Sequence, residues 1–369
     1  APIILIAMRL LQGLAVGGEY GGAVIYVAEH APPGRRGFFT AWIQTSATIS
    51  LIMALLVVLV TRTILGEASF AAWGWRIPFL LSVILLGASV WIRMQLHESP
   101  IFERMQSEGR ASKAPLSESF GNWSNLKIVF SALFGLIAGF GVIWYTAQFY
   151  VLLFLTQTLK IEPATVNLLF IVALTLGLPF FIFFGALSDR IGRKMLVFSG
   201  IALSALLFFP TFKALTHFGN PALERALANS PVVVSADPDE CHFQFNLTGT
   251  SKFTTPCDVA KSKLVSLSVA YASEPAEKGA PAVVRVGAVA VQMADLKGKT
   301  PAEIDAASKA FSAELTAAIQ KAGYPSKADP ADVNKPMIVL LCVLLVFCLA
   351  MAYGPVAAML VELFPARIR

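Results

Sequence analysis

The chain alternates between long apolar runs and short polar connections. Six of the runs contain no charged residue, and a seventh, from Ala1 to Glu29, encloses Arg9 and Glu19. About 20 apolar residues cross a bilayer as an α-helix, so the pattern predicts seven membrane spans. The six uncharged runs are Phe38–Thr61, Ile77–Ile92, Ile128–Leu159, Pro163–Ser188, Met195–Phe212 and Pro336–Val361.

One long segment, residues 213–335, breaks this pattern. It holds as many acidic as basic residues and no run long enough to span a bilayer. The stretches VVVSAD, CHFQFNL, KLVSLSVAY and AVVRVGAVAVQM predict short strands. A helix follows, with Thr300 as its N-cap, Glu303 completing a capping box and Gly323 at its end. Its apolar stripe consists of Ile304, Ala307, Phe311, Leu315, Ala318 and Ile319. We therefore expect residues 214–335 to form a small α+β domain outside the membrane.

The basic residues of the short loops predict the orientation of the spans. Loops 30–37, 93–127, 188–194 and 362–369 hold most of the short-loop Lys and Arg. Such loops face the cytoplasm, because positive charge is retained on that side during insertion. This orientation places residues 214–335 outside the cell membrane.

The outer segment contains two cysteines, Cys241 and Cys257. In an oxidising compartment they are candidates for a disulfide, which would contribute about 3 kcal/mol in the chain-entropy model. The alternative is two free thiols. Cys342 and Cys348 lie in the last span and are expected to be packing residues.

Composition narrows the function classes. The chain is 56% hydrophobic and only 14% charged, with a mean hydropathy of +0.68, whereas soluble domains hold about 25% charged residues. Its net charge of +6 belongs to the membrane part, and no basic patch with interleaved aromatic residues indicates nucleic-acid binding. The sequence shows no phosphate-binding loop and no cluster of metal ligands. We therefore expect no enzyme activity, no cofactor and no metal site.

The most specific motif is GALSDRIGRKM, residues 185–195, between two predicted spans. It resembles the signature loop of the major facilitator superfamily. Glycines allow close packing and a sharp turn, and an aspartate is favoured near a helix N-terminus. By resemblance, the loop forms a cytoplasmic gate from Gly185, Asp189, Arg190, Gly192, Arg193 and Lys194. A simple positive anchor is the alternative.

A second signal is an internal repeat. YVAEHAPPGRRG follows the first span and LVELFPARIR follows the last, so that Glu29 and Arg36 correspond to Glu362 and Arg367. Superfamily members are built from parallel six-span halves, which would leave such a repeat, although coincidence is an alternative for so short a pattern. These four residues join the predicted gate.

Further stretches, RLLQGLAVGGEYGGA, WGWRIPFLLS, HESPIF and YGPVAAMLVELFP, resemble the metabolite:proton symporter family of the superfamily. The resemblance implies an all-α membrane bundle with the major facilitator fold, truncated at both ends and covering about spans four to ten. It does not extend to the α+β insert. The resemblance implies five segments along the chain. Residues 1–95 are the end of the first half, residues 96–126 are the cytoplasmic loop between the halves, and residues 127–213 are the first three spans of the second half. Residues 214–335 are the insert, and residues 336–369 are a further span of the second half.

The charges of the first span are candidates for the substrate and proton pathway. Gln12 and Glu19 share a helix face, with Arg9 close to it, so we expect all three to point towards a common interior. By resemblance, Arg9 would meet an anionic group and Glu19 would exchange a proton. A structural Arg–Glu network is the alternative. Gly13, Gly17 and Gly21 predict a close contact with a neighbouring helix.

WYTAQFY adds Trp144, Tyr145 and Gln148 to the candidate pathway. Gln148 lies in an uncharged run and favours a cavity wall, whereas Trp144 is equally consistent with packing. Tyr353, before Gly354 and Pro355, is a weaker candidate beside an expected break in the helix.

The resemblance implies a proton-coupled symporter of a small polar metabolite, such as an organic acid, betaine or amino acid, that works by alternating access. Its partners would be the substrate, protons, the lipid bilayer and a possible partner for the insert. It would lie in a bacterial inner membrane, with residues 214–335 periplasmic. The competing hypothesis is a transporter-like sensor whose insert binds the ligand.

Overall fold

The computed structural model describes residues 2–95, 100–109, 114–244, 253–296 and 298–364. Within them, seven helices are long and apolar enough to cross a membrane, which confirms the predicted all-α bundle. The helices up to the insert are α1 (Pro2–His30), α2 (Arg36–Leu65), α3 (Arg76–Gln95), α4 (Pro100–Ser107), α5 (Pro115–Gly121), α6 (Trp123–Thr158), α7 (Pro163–Ile191) and α8 (Arg193–Gly219). A short helix, Glu67–Ser69, and a π-helical turn, Phe70–Gly74, connect α2 to α3.

Two of the spans are irregular. Helix α6 widens to π-helical geometry in three places, Ser131–Ile137, Thr146–Tyr150 and Phe154–Thr158. The last span is interrupted at Gly354 and Pro355, which divide it into α12 (Lys335–Tyr353) and α13 (Val356–Leu363). Proline lacks the backbone N–H that a continuous helix needs, so the interruption follows from the sequence.

Helix α7 lies at the centre of the bundle, with α2 on one side and α12 on the other. Its contact with α2 depends on two glycines. A Cβ atom at Gly185 would lie 2.3 Å from the Cβ of Ala41, and one at Gly37 would lie 2.4 Å from the Gly185 carbonyl oxygen. No side chain larger than hydrogen fits at either position without moving the backbone, so this crossing fixes how closely α2 and α7 approach.

The insert contains a four-stranded sheet flanked by helices. Its elements are α9 (Pro221–Asn229), β1 (Val232–Ala236), α10 (Pro256–Ser266), β2 (Ala272–Pro275), β3 (Val283–Val286), β4 (Val289–Gln292) and α11 (Pro301–Lys321). A 3₁₀ turn, Pro238–Glu240, follows β1. The strand order is β2-β1-β3-β4, with β1 parallel to β2 and antiparallel to β3. Val233 pairs with Ala272 on one side and Arg285 on the other, and β3 and β4 form a hairpin.

The predictions for the insert have mixed outcomes. Strand β1 and helix α11 are confirmed, including the capping box between Thr300 and Glu303 and the burial of the apolar stripe. The stretch AVVRVGAVAVQM is also confirmed as strand and forms both β3 and β4. The strand predicted at KLVSLSVAY is wrong, because these residues begin as the end of α10, whose N-cap is Thr255. Cys241–Gln244 form no strand, and the rest of CHFQFNL lies outside the described residues. Strand β2 was not predicted.

The two ends of the bundle carry different structures, and we call them the Asp189 end and the sheet end. The Asp189 end holds the turn between α7 and α8, where Gly192 adopts a φ of 94°. The sheet end holds the insert. The entry and exit of the insert lie side by side, because the Asn334 amide donates a 2.9 Å hydrogen bond to the carbonyl oxygen of Phe218.

The insert packs directly on the connection between α6 and α7. The carbonyl oxygen of Lys160 accepts from the Ala328 amide at 3.0 Å, and its ammonium donates to the Pro325 carbonyl oxygen at 3.3 Å. Burial lowers the pKa of this ammonium. The Asn220 side chain donates to the Leu159 carbonyl oxygen at 2.9 Å. Leu159, Ile161, Leu215 and Leu223 are buried in the core shared by the bundle and insert.

Candidate functional site

A chain of uncharged polar side chains crosses the middle of the bundle. The Tyr20 hydroxyl donates to Oε1 of Gln44 at 3.0 Å, and Nε2 of Gln44 donates to the Tyr353 carbonyl oxygen at 3.3 Å. One turn further along α2, Thr48 accepts a 3.2 Å hydrogen bond from Nε2 of Gln148. Gln44, Thr48 and Gln148 are fully buried. The cluster therefore joins α1, α2, α6 and α12 without any buried charge.

Gln148 occupies the most unusual place in this polar cluster. It lies in the π-helical turn Thr146–Tyr150, a geometry that occurs frequently at functional sites. Its Oε1 atom and the indole Nε1 of Trp144, one turn earlier, are buried and have no hydrogen-bond partner among the described residues. Buried polar atoms in proteins are nearly always paired. One acceptor and one donor are thus available to a polar molecule that enters the bundle.

Aromatic rings hold Tyr353 in place. Its ring stacks on Phe140, with centroids 5.0 Å apart, and meets the edge of Phe181 at 6.3 Å. Tyr353 ends α12 immediately before the break at Gly354. The break and the rings together direct the Tyr353 carbonyl oxygen to Gln44.

The structure places the charged residues of α1 elsewhere. Arg9, Gln12 and Glu19 are exposed in the described bundle, so the expectation that they point towards a common interior is not met there. Arg9 donates to Oε1 of Gln12 at 3.0 Å, and Glu19 forms a 3.1 Å ion pair with Arg93 of α3. The physical reason is that α1 packs only through its second half, where Val24 is buried.

A further expectation fails for the same geometric reason. The glycines Gly13, Gly17 and Gly21 have no heavy atom within 4 Å of an added Cβ, so the predicted close helix contact is absent among the described residues. Tyr145, on α6, is 63% exposed, while Trp144 packs against the core.

At the Asp189 end, one carboxylate caps a helix from another part of the chain. Helix α2 begins at Arg36 without a cap from Arg35. Instead, the Asp189 carboxylate accepts from the Gly37 amide at 2.8 Å and from the Phe38 amide at 3.0 Å. Negative charge is favoured at a helix N-terminus because the first amides have no partner within the helix.

Charged side chains extend this contact to α8 and α13. Arg193 lies 3.2 Å from the Asp189 carboxylate and also pairs with Glu362. Glu362 in turn lies 3.9 Å from Arg36. The network therefore connects the start of α2, the turn between α7 and α8, and the end of α13.

Not every predicted gate residue joins this network. Gly185 makes the close crossing with α2 and Gly192 forms the turn, but Arg190 and Lys194 are exposed. Glu29 is partly buried near the end of α1. Arg367 lies outside the described residues.

Tyr20, Gln44 and Thr48 were missed from the sequence. Gln44 lies in the uncharged run Phe38–Thr61, which is the same signal that singled out Gln148. Applying that criterion to every span finds Gln44. Tyr20 and Thr48 are common residue types in spans, and only their hydrogen bonds distinguish them.

The chain is similar to known transporters. The profile of the family described as "Sugar (and other) transporter" matches residues 1–127. The chain is 34% identical to the alpha-ketoglutarate permease of Escherichia coli K12 over 221 residues, which cover 60% of this chain and 50% of the permease. It is 32% identical to the proline/betaine transporter of the same strain, covering 58% of this chain and 44% of that transporter. The chain is also 32% identical to the shikimate transporter of that strain, covering 58% of this chain and 49% of the transporter.

The chain thus spans about half the length of the curated relatives it matches. No solved structure matches it. The matching family and relatives are transporters and not enzymes. The seven spans, the signature loop and these relatives agree, and the membrane bundle is similar to those of major facilitator superfamily transporters.

Proposed function

We propose that the protein is a secondary transporter that carries a small polar metabolite together with protons by alternating access. The relatives are named for alpha-ketoglutarate, proline and betaine, and shikimate, so the substrate class is an organic acid, betaine or amino acid. The proposed location is a bacterial inner membrane, with residues 214–335 in the periplasm.

The polar cluster in the bundle carries this proposal. Gln148 and Trp144 offer one acceptor and one donor that no described residue satisfies. In an apolar interior an unpaired polar atom costs about 1–3 kcal/mol, and a bound metabolite with complementary groups would recover this free energy. Tyr20, Gln44 and Thr48 would hold the surrounding helices in register.

Glu19 is the proposed proton carrier. A carboxylate inside a membrane span needs a partner, and here the partner is Arg93 at 3.1 Å. Protonation of Glu19 would release Arg93 and loosen the contact between α1 and α3. Arg9, which has no carboxylate partner among the described residues, would be available to an anionic group of the substrate whether or not Glu19 is protonated.

The charged network at the Asp189 end is the proposed cytoplasmic gate. It connects α2 with α7, α8 and α13, which the resemblance assigns to different halves of the transporter. When the two halves rock about a central site, these contacts would form in one state and break in the other.

Uptake into proteoliposomes tests the proposal. The full-length protein, with the spans that the resemblance places on either side of this chain, is reconstituted, and labelled alpha-ketoglutarate, proline, betaine and shikimate are offered with an inward proton gradient. We expect accumulation of at least one substrate that a protonophore abolishes. Gln148→Leu should lower binding and uptake of that substrate, whereas Glu19→Gln should abolish accumulation and leave exchange.

Matched variants make the result specific. Glu67→Gln alters an exposed acidic residue at the sheet end and should leave accumulation unchanged. Normal accumulation by Glu19→Gln would remove Glu19 from the coupling mechanism. Binding without any uptake, in a correctly inserted protein, would favour the sensor instead.

A further inference from the structure

The insert contains a groove that the transport proposal does not use. It lies between α10 and α11 and has a volume of about 660 Å³. Its larger apolar residues are Phe253, Val259 and Ile304. The volume falls within the range of about 300–1,000 Å³ that is typical of small-molecule sites.

Among the described residues that line the groove, each wall carries one charge, and the two charges are of opposite sign. Lys263 lies on α10 and Asp305 on α11. Within the part of the chain that the structure describes, the Lys263 ammonium and the Asp305 carboxylate form no ion pair with each other or with a third residue. Elsewhere on the insert, charges of opposite sign do pair, as Lys278 with Asp239 at 2.9 Å and Arg285 with Glu274.

Hydroxyl groups from both helices also line the groove. Ser262 and Ser266 lie four residues apart on α10, and Ser308 and Ser312 are spaced in the same way on α11. Residues four apart share a helix face, so each helix presents two hydroxyls to the groove. Serine hydroxyls both donate and accept hydrogen bonds, which suits a ligand with polar groups of either kind. The Ser266 hydroxyl already donates to the Lys263 carbonyl oxygen at 2.7 Å and therefore offers the ligand an acceptor.

We infer that this groove binds a small zwitterionic solute, with its carboxylate at Lys263 and its cationic nitrogen at Asp305. A ligand of one charge would meet one favourable and one unfavourable wall, whereas a zwitterion satisfies both. The apolar residues would contact the body of the solute. This second site does not depend on the transport proposal.

Binding is measured by calorimetry on the full chain in nanodiscs, in a Gln148→Leu background that removes the proposed site in the bundle. The probes are glycine betaine, proline and the dipeptide leucyl-leucine, with choline as a cation and succinate as an anion. At least one zwitterion should bind, and more tightly than choline or succinate. Lys263→Met and Asp305→Asn should each weaken its binding about tenfold or more.

Charge reversal gives the sharpest test. Lys263→Asp alone and Asp305→Lys alone should abolish zwitterion binding, while the two together restore a complementary pair and recover part of it. Lys309→Met and Glu314→Gln, on α11 outside the groove, are the matched controls and should bind like the parent. Circular dichroism checks that every variant keeps its fold.

Three results would overturn the inference. The first is no zwitterion binding at millimolar concentration. The second is binding that persists unchanged in Lys263→Met and Asp305→Asn. The third is choline or succinate binding as tightly as the zwitterions. None of these results bears on uptake by the bundle, which is measured separately.

Discussion

The two ends of the bundle are held together by different kinds of contact. At the Asp189 end, four charged side chains and two backbone amides connect α2 to α7, α8 and α13. At the sheet end, backbone hydrogen bonds and buried leucines attach the insert to α6, α7, α8 and α12. The first set links elements that the resemblance assigns to both halves, and the second set lies within one half.

This difference has a mechanical consequence. Ion pairs that are partly exposed contribute little net free energy, because water replaces the partner when they separate. Buried apolar contacts lose about 1.5–3 kcal/mol for each large side chain that is uncovered. We therefore expect the Asp189 end to be the one that opens, mainly at the cost of the two hydrogen bonds from α2 to the Asp189 carboxylate, while the sheet end moves with its half as one body.

Of the changes at the two ends of the bundle, removing the charge of Asp189 should cause the largest loss of uptake. Asp189→Asn keeps the size of the side chain but weakens its hydrogen bonds with α2 and its pair with Arg193. A hydrogen bond to a charged group contributes about 1.5–3 kcal/mol, and 1.4 kcal/mol is a factor of about ten. Uptake in proteoliposomes should fall roughly tenfold or more, at unchanged expression.

The labelling rate of a cysteine placed in the cavity at the Asp189 end reports the gate itself. We expect it to rise in Asp189→Asn, because the closed contact is weakened. Asp332→Asn, an exposed position at the sheet end, is the control. If uptake and labelling both match the parent, the loop is an anchor and not a gate.

Replacing residues 221–333 by a short Gly/Ser linker tests whether transport needs the insert at the sheet end. Phe218 and Asn334 are already joined by a hydrogen bond, so a few residues can close the gap. Uptake should stay detectable, because the polar cluster and Asp189 lie elsewhere. The melting temperature should fall, since Leu159 and Ile161 lose their cover. A correctly inserted variant without any uptake would make the insert part of the mechanism.

The same contrast explains what the sequence could predict. The spans can be predicted from the length of the apolar runs alone. The position of Asp189 can be predicted from a local motif, because its carboxylate needs only a nearby helix N-terminus. Whether Arg9 and Glu19 face the interior of the bundle cannot be predicted in the same way, because it depends on which neighbouring helices cover α1. Helical periodicity places residues on one face but does not say which face packs.

In the insert, the local capping signal predicted its element correctly, whereas one of the strand patterns did not. The capping box at Thr300 predicts α11 correctly, because its hydrogen bonds are local. The Val- and Leu-rich stretch after Lys263 was misassigned as a strand, although Thr255 and Pro256 mark a helix start before it. Strand β2 contains few β-forming residues and depends on pairing with β1, which is a non-local contact.

Loss of the disulfide should destabilise the insert and spare the bundle. Cys241 and Cys257 are joined in the structure and lie 16 residues apart. Closing a loop of this length contributes about 3 kcal/mol in the chain-entropy model. Cys241→Ser with Cys257→Ser should therefore raise hydrogen exchange of the β1 amides, with little change in uptake.

Reductant should have the same effect on the parent protein. The variant Cys342→Ala with Cys348→Ala serves as control and should keep its sensitivity to reductant, because these buried cysteines are free thiols. Identical exchange with and without reductant would show that the disulfide does not stabilise the insert.

The smallest effect is expected at Asp258, beside the disulfide. Its carboxylate accepts from the backbone amide of His242 at 2.9 Å and lies 2.9 Å from Nδ1 of the same residue. Burial of the Asp258 carboxyl favours a higher pKa, but the hydrogen bonds with His242 and Thr255 outweigh it and hold the pKa below its usual value. The carboxylate therefore stabilises the folded insert more than it stabilises the unfolded chain.

The sign of the pH dependence follows from that direction. A carboxyl group with a depressed pKa contributes stability above its unfolded pKa of about 4, and this stability is lost as pH falls through the folded pKa. Asp258→Asn should cost about 1.5–3 kcal/mol at neutral pH and should flatten the acid limb of insert stability, measured by hydrogen exchange of β1. Asp239→Asn, whose ion pair with Lys278 is exposed, should cost at most about 1 kcal/mol. Equal losses in the two variants would show that burial of Asp258 adds nothing to its hydrogen bonds.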